Sequence, residues 1–428
     1  MPAAAEPAPS SVTASGPAAP ATHSPSPGWR PSVLLVHERY RQRAGEDAVF
    51  DAELELLRDM GHPVEALVVD NEGIRDERTI RQQIRLGLET VWSARAARRV
   101  ARQLSERPAD VVHVHNTFPL LSPSIYGAAR SSGAAVIQTI HNYRPICPAA
   151  TLFRDGRPCE DCVGRAVAWP SVVHGCYRDS RVQTLPIATM LATQRLTRQW
   201  RKIDVFIALT EFAASKLAQG GLPTDRIQVK ANFVTPDPGP RSGRGDGFLF
   251  VGRLAPEKGI GTIIDAAPLL GAGIVVRVVG DGPEEDRLRA AATAHAALQP
   301  MGRLDRSAVL SELAACRALV FPSLWYEGLP MTLLEAFAVG VPVIAARIGA
   351  ASALVEDGVT GLTFEPGDHA GMAAQLAWAQ AHPDEMAAFG QSARKRFEAR
   401  YTADASHRRL LEIYSIALER AAGRAAAG

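Results

Sequence analysis

The chain has 428 residues, and at roughly 150 residues per domain this length predicts two or three domains. Its 47 Lys and Arg side chains nearly balance 45 Asp and Glu, which argues against a dedicated nucleic-acid-binding protein. No apolar run approaches the roughly 18 residues of a membrane helix, and the N-terminus lacks the apolar core of a secretory signal. Five cysteines in so long a chain do not form a disulfide framework, so we expect a cytoplasmic protein.

The pattern of apolar runs predicts two α/β domains in tandem. Residues 1–29 are rich in Ala, Pro and Ser and are expected to be a disordered tail. Over 30–238, short apolar strands alternate with helical patterns, which predicts a parallel sheet covered on both faces. A Pro- and Gly-rich linker lies at 235–247, and the alternation restarts over 239–402. Residues 403–428 contain an amphipathic helix expected to pack back on the N-terminal domain.

Two doubly wound domains predict an interdomain cleft, because ligands bind at the carboxyl ends of parallel strands. After the first strand of the second domain, Gly252 is followed by Arg253 and Lys258. Two cations on one loop suit a diphosphate, although a solvated basic loop is the alternative. The next strand runs into Gly280 and Gly282, which allow a ligand close to the backbone. Neither a dinucleotide fingerprint nor a P-loop motif is present.

A second pair of charged residues lies further along this domain. Glu327 and Glu335 flank the loop-to-helix junction Gly328-Leu329-Pro330. The pattern predicts Glu327 on the loop and Glu335 about two turns into the helix. Free N–H groups at a helix start bind anions, and a carboxylate there accepts hydrogen bonds from sugar or ribose hydroxyls. The alternative is a helix cap and a solvated side chain.

The order of these segments resembles a known family. The second half contains, in order, GRLAPEKG, VVGDGP, EGLPMTLLEA, VPVIA and EDGVTGLTFEPGD. This order is similar to the donor half of family-4 retaining glycosyltransferases, which have the GT-B fold of two Rossmann-like domains around a cleft. The resemblance covers about residues 33–420. It implies that Glu327 contacts the donor sugar, Glu335 the nucleotide ribose, and Arg253 and Lys258 the diphosphate. It also implies that backbone groups of three residues contact the sugar and phosphates: Gly328, Leu329 and Pro330.

The first half resembles the same family. HERYRQRAGEDAVFDAELELL is similar to the family's N-terminal glycine loop, which implies that Gly45 approaches the donor phosphate. Ala44 and Glu46 flank Gly45 where the family usually has two glycines. His141, in TIHNYRPICP, matches a family residue at the reacting centre. The resemblance therefore implies a catalytic role for His141.

Four of the five cysteines form a cluster in the sequence, inside a loop-like insertion at 147–176. They follow the pattern C-x₁₁-C-x₂-C-x₁₃-C and are Cys147, Cys159, Cys162 and Cys176. The spacing fits a tetrahedral structural zinc site, with His174 as a spare ligand. Plain reduced thiols and a redox pair are the alternatives.

The first domain also carries concentrated positive charge. Residues 75–107 contain nine Arg and four acidic residues, and 195–202 adds further basic side chains. One interpretation is a solvated helix face. The other is a peripheral contact with anionic lipid at the inner face of the membrane, or with a lipid-linked diphosphate acceptor.

These features together predict a retaining glycosyltransferase of polysaccharide or glycoconjugate biosynthesis. It moves a sugar from a nucleotide-diphosphate sugar to a saccharide or lipid-linked acceptor. No cofactor is expected for catalysis, because protein cations meet the charge of the leaving group. A GT-B nucleotide-sugar epimerase and a non-catalytic nucleotide-sugar-binding protein are the alternative interpretations.

Overall fold

The computed structural model describes residues 28–40, 45–71 and 79–427. The predicted tail at 1–29 lies almost wholly outside these residues, as do Ala44 and the rest of 41–44. None of the described helices is long and apolar enough to span a membrane.

The first domain alternates strands and helices around one sheet. Its elements are β1 (Val33–Arg39), α1 (Gly45–Asp59), β2 (Val64–Asp70), α2 (Ile80–Val91), α3 (Ala94–Glu106), β3 (Val111–Val114), α4 (Ser124–Ser131), β4 (Ala135–Ile140), β5 (Phe153–Arg154), β6 (Arg157–Pro158), α5 (Trp169–His174), α6 (Arg181–Leu196), β7 (Val205–Ala208), α7 (Glu211–Gln219) and β8 (Ile227–Val229).

The second domain repeats this plan, and the chain ends in a long helix. Its elements are β9 (Phe248–Val251), α8 (Ile260–Ala266), β10 (Val276–Val279), α9 (Glu285–Ala294), β11 (Leu298–Gly302), α10 (Arg306–Ala315), β12 (Ala318–Phe321), α11 (Met331–Ala338), β13 (Val343–Ala346), α12 (Gly349–Leu354), β14 (Gly361–Phe364), α13 (His369–Ala381), α14 (Pro383–Arg400) and α15 (Ala403–Ala427).

Each domain contains a six-stranded parallel sheet, and the two sheets differ in strand order beside their first strand. The strand orders are β2-β1-β3-β4-β7-β8 and β11-β10-β9-β12-β13-β14. In both sheets the first strand of the domain lies inside the sheet, so the strand order reverses beside it. Loops that leave adjacent strands in opposite directions open a crevice at this point, where ligands bind in such sheets. The predicted fold class is confirmed.

Both faces of the first sheet are buried, which explains why its strands are nearly continuous apolar runs. Alternate residues of β1 face opposite sides. Leu34 and Val36 join the core under α3 and α4, and Val33 and Leu35 join the core under α1. That second core also includes Leu410, Ile413, Tyr414, Ala417 and Ala421 of α15. The C-terminal helix therefore packs on the first domain, although it follows the second domain in the chain.

Two elements differ from the prediction. The cysteine-rich segment was expected to be loop-like, but it contains the β5–β6 hairpin and α5. Each element is too short to give a periodic pattern in the sequence. The second sheet also has a sixth strand, β14, within EDGVTGLTFEPGD, and its four residues begin with a glycine. Glycine is depleted in strands, so this strand was not predicted.

Candidate active site

A lysine and a carboxylate meet at the carboxyl edge of the second sheet. Lys258 Nζ donates to Glu327 Oε1 at 2.7 Å, and Ser323 Oγ donates to the same oxygen at 3.0 Å. Lys258 Nζ also lies 5.3 Å from the centroid of the Trp325 ring, within cation–π range. Glu327 is only 7% exposed, so solvent screens this pair weakly. The structure thus brings together two residues that the sequence predicted separately.

Arg253 lies on the same loop but in a different environment. Its side chain is 63% exposed, and its guanidinium donates to Glu257, four residues along the chain. Lys258 is the last residue of a short 3₁₀ turn, Pro256–Lys258, that places it deeper in the loop. The two predicted cations are therefore near one another in the chain, with Lys258 partly buried and Arg253 open to solvent.

The predicted glycines of this domain allow two loops to cross. A Cβ atom on Gly280 would lie 1.9 Å from the Gly252 carbonyl oxygen, and one on Gly282 would lie 2.5 Å from that of Leu254. Both glycines also have a positive φ, which L-residues rarely adopt. Leu254 N donates to Asp281 O at 2.7 Å across the crossing. These contacts fix the loop that carries Arg253 and Lys258.

Glu335 is the fifth residue of α11, a little over one turn from its start rather than two, because the helix begins at Met331. Burial raises the pKa of Glu335, and Arg306 Nε donates to its Oε1 at 3.3 Å and offsets part of that rise. Leu329 is buried, and Pro330 caps α11 in an extended conformation. Proline has no N–H, so Pro330 offers a ligand only its carbonyl.

The two domains touch at His141. This residue directly follows β4, and a Cβ atom on Gly328 would lie 2.4 Å from the His141 carbonyl oxygen. Tyr143 Oη donates to the Glu327 carbonyl oxygen at 3.5 Å. Nearby, Tyr326 Oη donates to Glu160 Oε1 at 2.9 Å. The predicted residues His141, Glu327 and Gly328 thus meet at one place, between the carboxyl edges of the two sheets.

A buried hydrogen-bonded chain extends from His141 into the first domain. His141 Nε2 lies 3.0 Å from His115 Nδ1, and His115 Nε2 lies 3.2 Å from Glu53 Oε1. Lys230 Nζ donates to the other carboxylate oxygen, Glu53 Oε2, at 2.8 Å. His115, Glu53 and Lys230 are each at most 5% exposed. Burial lowers the pKa of His115 to about 4 and that of His141 well below its ordinary value, so both rings are neutral at neutral pH.

Of this hydrogen-bond network, His141 was identified from the sequence, but His115, Glu53 and Lys230 were not. His113 and His115 alternate with valines in HVHN, and this spacing of two places both on one face of β3, which is the one local signal. Glu53 and Lys230 are far apart in the sequence. His113 also reaches Glu53 Oε1, at 3.1 Å, and bonds Thr139 Oγ1 at 2.8 Å. Burial would raise the pKa of Glu53, but Lys230 and the histidines outweigh it and lower that pKa well below its ordinary value.

The N-terminal end of α1 lies beside His141. Gly45 is the first residue of α1 and is exposed, and a Cβ atom on it would meet no described atom within 4 Å. Burial raises the pKa of Glu46 to about 7, and Asn142 Nδ2 donates to Glu46 Oε2 at 3.3 Å. Glu46, His141, Asn142 and Arg144 line a cavity of about 50 Å³.

The four clustered cysteines and Cys316 are free thiols. Cys147 and Cys162 are buried. Burial, followed by the Cys147 thiol, raises the pKa of Cys162 and Cys176, which favours their neutral thiol form, and the zinc site stays a prediction. Among the described residues, Glu53, His113 and His115 are the one trio of metal-ligand atoms that lie within 4.8 Å of one another. Its ligand atoms already bond Lys230 and neighbouring side chains, so we interpret it as a hydrogen-bond network.

The arginines of the first domain line a groove. A cavity of about 560 Å³ lies between α3 and the loop after β3. It is lined by Arg95, Arg98, Arg99 and Arg102, together with Ser93, Leu120 and Leu121. The N–H groups of Leu120 and Leu121 donate to the buried Glu38 carboxylate at 2.8 Å, which ties this loop to the end of β1.

Two family models match consecutive parts of the chain. Glycosyltransferase Family 4 matches residues 49–238, and Glycosyl transferases group 1 matches residues 240–396. The boundary between them falls in the predicted linker.

Curated relatives match shorter segments. The glycogen synthase of Mycobacterium tuberculosis is 36% identical over 143 residues, which are 32% of this chain and 34% of that protein. The O-antigen chain mannosyltransferase C of Escherichia coli is 30% identical over 176 residues, 40% of this chain and 47% of that protein. The chain therefore matches less than half of either relative. Among solved structures, Anabaena Alr3699/HepE in complex with UDP has a TM-score of 0.63 at 17% identity and covers 90% of this chain and 99% of its own.

Proposed function

Because the chain belongs to the glycosyl transferases group 1 family and has the GT-B fold, we propose that it transfers a sugar from a nucleotide-diphosphate sugar to an acceptor, with retention at the anomeric carbon. The observation that carries the proposal is the meeting of Lys258, Glu327 and His141 where the two domains touch. A cation, a carboxylate and an imidazole there suit a substrate with a diphosphate at one end and hydroxyls at the other. The relatives and the UDP complex of HepE support this class of donor.

The demanding step is departure of the nucleoside diphosphate from an oxocarbenium-like carbon. Lys258 and the more exposed Arg253 stabilise the negative charge that develops on the departing phosphate. Glu327 accepts hydrogen bonds from sugar hydroxyls and holds the ring in a reactive pose. The acceptor oxygen bonds to the anomeric carbon as the carbon–phosphate-oxygen bond breaks, and the acceptor proton passes to that phosphate oxygen. Both bonds lie on one face of the sugar, which gives retention.

The nucleoside lies along α11 in this proposal. The Glu335 carboxylate accepts from the ribose hydroxyls and is released from Arg306 when it does so. N–H groups of Gly328, Leu329 and the first turn of α11 donate to the sugar and phosphates. Gly45 and the start of α1 approach the same phosphates from the first domain.

The acceptor is proposed to carry negative charge. Four arginines line the groove beside the loop after β3, and guanidinium groups bind phosphate in a bidentate manner. A lipid-linked diphosphate saccharide would fit this charge, and its lipid would bring the first domain to the inner face of the membrane. Sedimentation with vesicles containing anionic lipid tests this point, with Arg98→Gln/Arg102→Gln as the variant. If the wild type does not bind the vesicles, or binds them no better than the variant, the proposed contact with anionic lipid is contradicted.

The proposed activity is tested by incubation with a panel of nucleotide-diphosphate sugars and acceptors, measuring nucleoside diphosphate release and the product anomer by NMR. We expect acceptor-dependent release and a retained anomer. Lys258→Met and Glu327→Gln should lower kcat/KM at least tenfold, roughly 1.4 kcal/mol or more, whereas Lys395→Met on the exposed side of α14 should not. A changed donor sugar without acceptor would indicate an epimerase instead. Donor binding without any reaction would indicate a binding protein.

The same assay tests independence from metal ions. Protein cations meet the leaving group in this proposal, so activity should persist immediately after EDTA is added. Loss of activity that Mg²⁺ or Mn²⁺ restores would contradict this part of the mechanism.

A further inference from the structure

We propose that Glu53, through His115, fixes His141 as the tautomer whose Nδ1 is a bare acceptor. This inference rests on the proposed function, because it assigns His141 the role of accepting a hydrogen bond from a ligand hydroxyl. Glu53 and His115 are then positioning residues that act on the ligand through His141. Glu53 lies in the segment HERYRQRAGEDAVFDAELELL, but neither Glu53 nor His115 was predicted to belong to the site.

The direction of each hydrogen bond follows from the one before it. An ionised carboxylate only accepts, so His115 Nε2 must carry the proton that it donates to Glu53 Oε1. A neutral ring has one N–H, which leaves His115 Nδ1 as an acceptor. His141 Nε2, 3.0 Å away, must therefore donate. The hydrogen bond found for the His141 ring among the described residues is at Nε2, which leaves Nδ1 to accept from a ligand.

The charged groups around the Glu53–His115–His141 hydrogen bonds keep each bond donating toward Glu53. Lys230 Nζ bonds the second oxygen of Glu53 and keeps the carboxylate ionised. His113 Nδ1 bonds the Tyr414 hydroxyl at 3.0 Å and lies 3.1 Å from Glu53 Oε1, and its Nε2 bonds Thr139 Oγ1, so it does not compete for His115 Nδ1. His37, which packs edge-on to His115, bonds Asp47 instead. Each of these groups is consistent with neutral His115 and His141 rings.

Glu53→Gln should reverse the donor and acceptor in each of these hydrogen bonds. Lys230 only donates, so the new amide must turn its oxygen toward Lys230 and its NH₂ toward the histidines. His115 Nε2 then accepts, His115 Nδ1 donates, and His141 Nε2 accepts. His141 Nδ1 becomes a donor. The side chain keeps its size, so the reversal is made with little change in packing.

The experiment measures the tautomer directly. Protein labelled with ¹⁵N-histidine is compared by long-range ¹H–¹⁵N NMR, with His141→Asn to assign the signal. In the wild type we expect His141 Nδ1 to have the ¹⁵N chemical shift of an unprotonated imidazole nitrogen. In Glu53→Gln we expect it to have the ¹⁵N chemical shift of a protonated one. Tyr414→Phe is the matched control: it removes a hydroxyl that bonds His113 but leaves the Glu53–His115–His141 chain intact, and it should keep the wild-type tautomer. A bare Nδ1 in Glu53→Gln, or a protonated Nδ1 in the wild type, overturns the proposal.

Kinetics separate this proposal from a purely structural role. Glu53→Gln should lower kcat at least tenfold while binding nucleoside diphosphate as the wild type does, because Glu53 is buried and the cations that meet the diphosphate, Lys258 and Arg253, lie in the other domain. His115→Asn, which retains an acceptor near the Nδ1 position, should recover more activity than His115→Phe. Equal loss of activity in His115→Asn and His115→Phe contradicts a role for the His115 hydrogen bond to His141. The NMR result needs no substrate, so it stands or falls independently of the proposed activity.

Discussion

Lys258 and Glu327 form an ion pair without a substrate, so neither charge is left uncompensated at the edge of the second sheet. When a diphosphate binds, Lys258 can share its three N–H donors between phosphate and carboxylate. Ser323 stays on Glu327 and keeps the carboxylate in place. Arg253, by contrast, is exposed on the surface and paired with Glu257, so it must leave that carboxylate to contact a ligand. One cation is therefore held against Glu327 and the other is exposed to solvent.

Glu46 provides a prediction at the residue scale. Burial raises its pKa from 4.5 to about 7, so the folded protein holds a proton that the unfolded chain releases between these values. Stability from this group is fully present below pH 4.5 and is lost as pH rises through 7, by up to about 3 kcal/mol. Glu46→Gln removes the dependence. Its melting temperature minus that of the wild type should therefore increase from pH 5 to pH 8.

Other buried groups titrate in the same range, so the difference between variant and wild type is the quantity to follow. Glu385→Gln, on α14 in the second domain, serves as the control and should show a flat difference. A flat difference for Glu46→Gln as well would show that the Glu46 carboxyl is not protonated in the folded protein.

At the scale of elements, close backbone approach shapes the site. Gly328 lies against the His141 carbonyl oxygen, with no room for a methyl group. Gly328→Ala should push the loop before α11 away from β4 and lower kcat/KM at least tenfold. The melting temperature should change little, because the two cores are untouched. Gly271→Ala is the control, since a Cβ there meets no described atom within 4 Å. Wild-type activity in Gly328→Ala would show that the domains do not need this contact.

Elements buried on both faces were predictable, and contacts between distant segments were not. PSVLLVH and VPVIA were predicted as strands because a parallel sheet between helix layers requires apolar side chains on both faces. Glu327 and Lys258 were predicted individually from loop position and charge, but their pairing is a tertiary contact. Glu53 lies in an amphipathic helix and Lys230 in a strand-like segment, where each looks like an ordinary polar position. Glu53 and Lys230 are 177 residues apart, and nothing in the sequence around either one indicates that they form an ion pair.

At the scale of the molecule, two six-stranded parallel sheets meet with their carboxyl edges at one contact. The chain crosses from the first domain to the second near residue 240, and α15 crosses back to pack on the first sheet. Arg409 Nε donates to the Val229 carbonyl oxygen at 3.0 Å and helps to hold α15 there. Two crossings of the chain thus connect the second domain to the first, which carries His141 and its hydrogen-bond network.

The most direct test of a nucleotide-diphosphate site is calorimetric titration of UDP, GDP and ADP into the wild type, Lys258→Met and Lys395→Met. We predict that at least one of these nucleotides binds the wild type with one site per chain. Lys258→Met should bind it at least tenfold more weakly, because the partly buried cation is lost, and Lys395→Met should bind it as the wild type does. Failure of all three nucleotides to bind the wild type, or wild-type affinity in Lys258→Met, would contradict the proposed donor site.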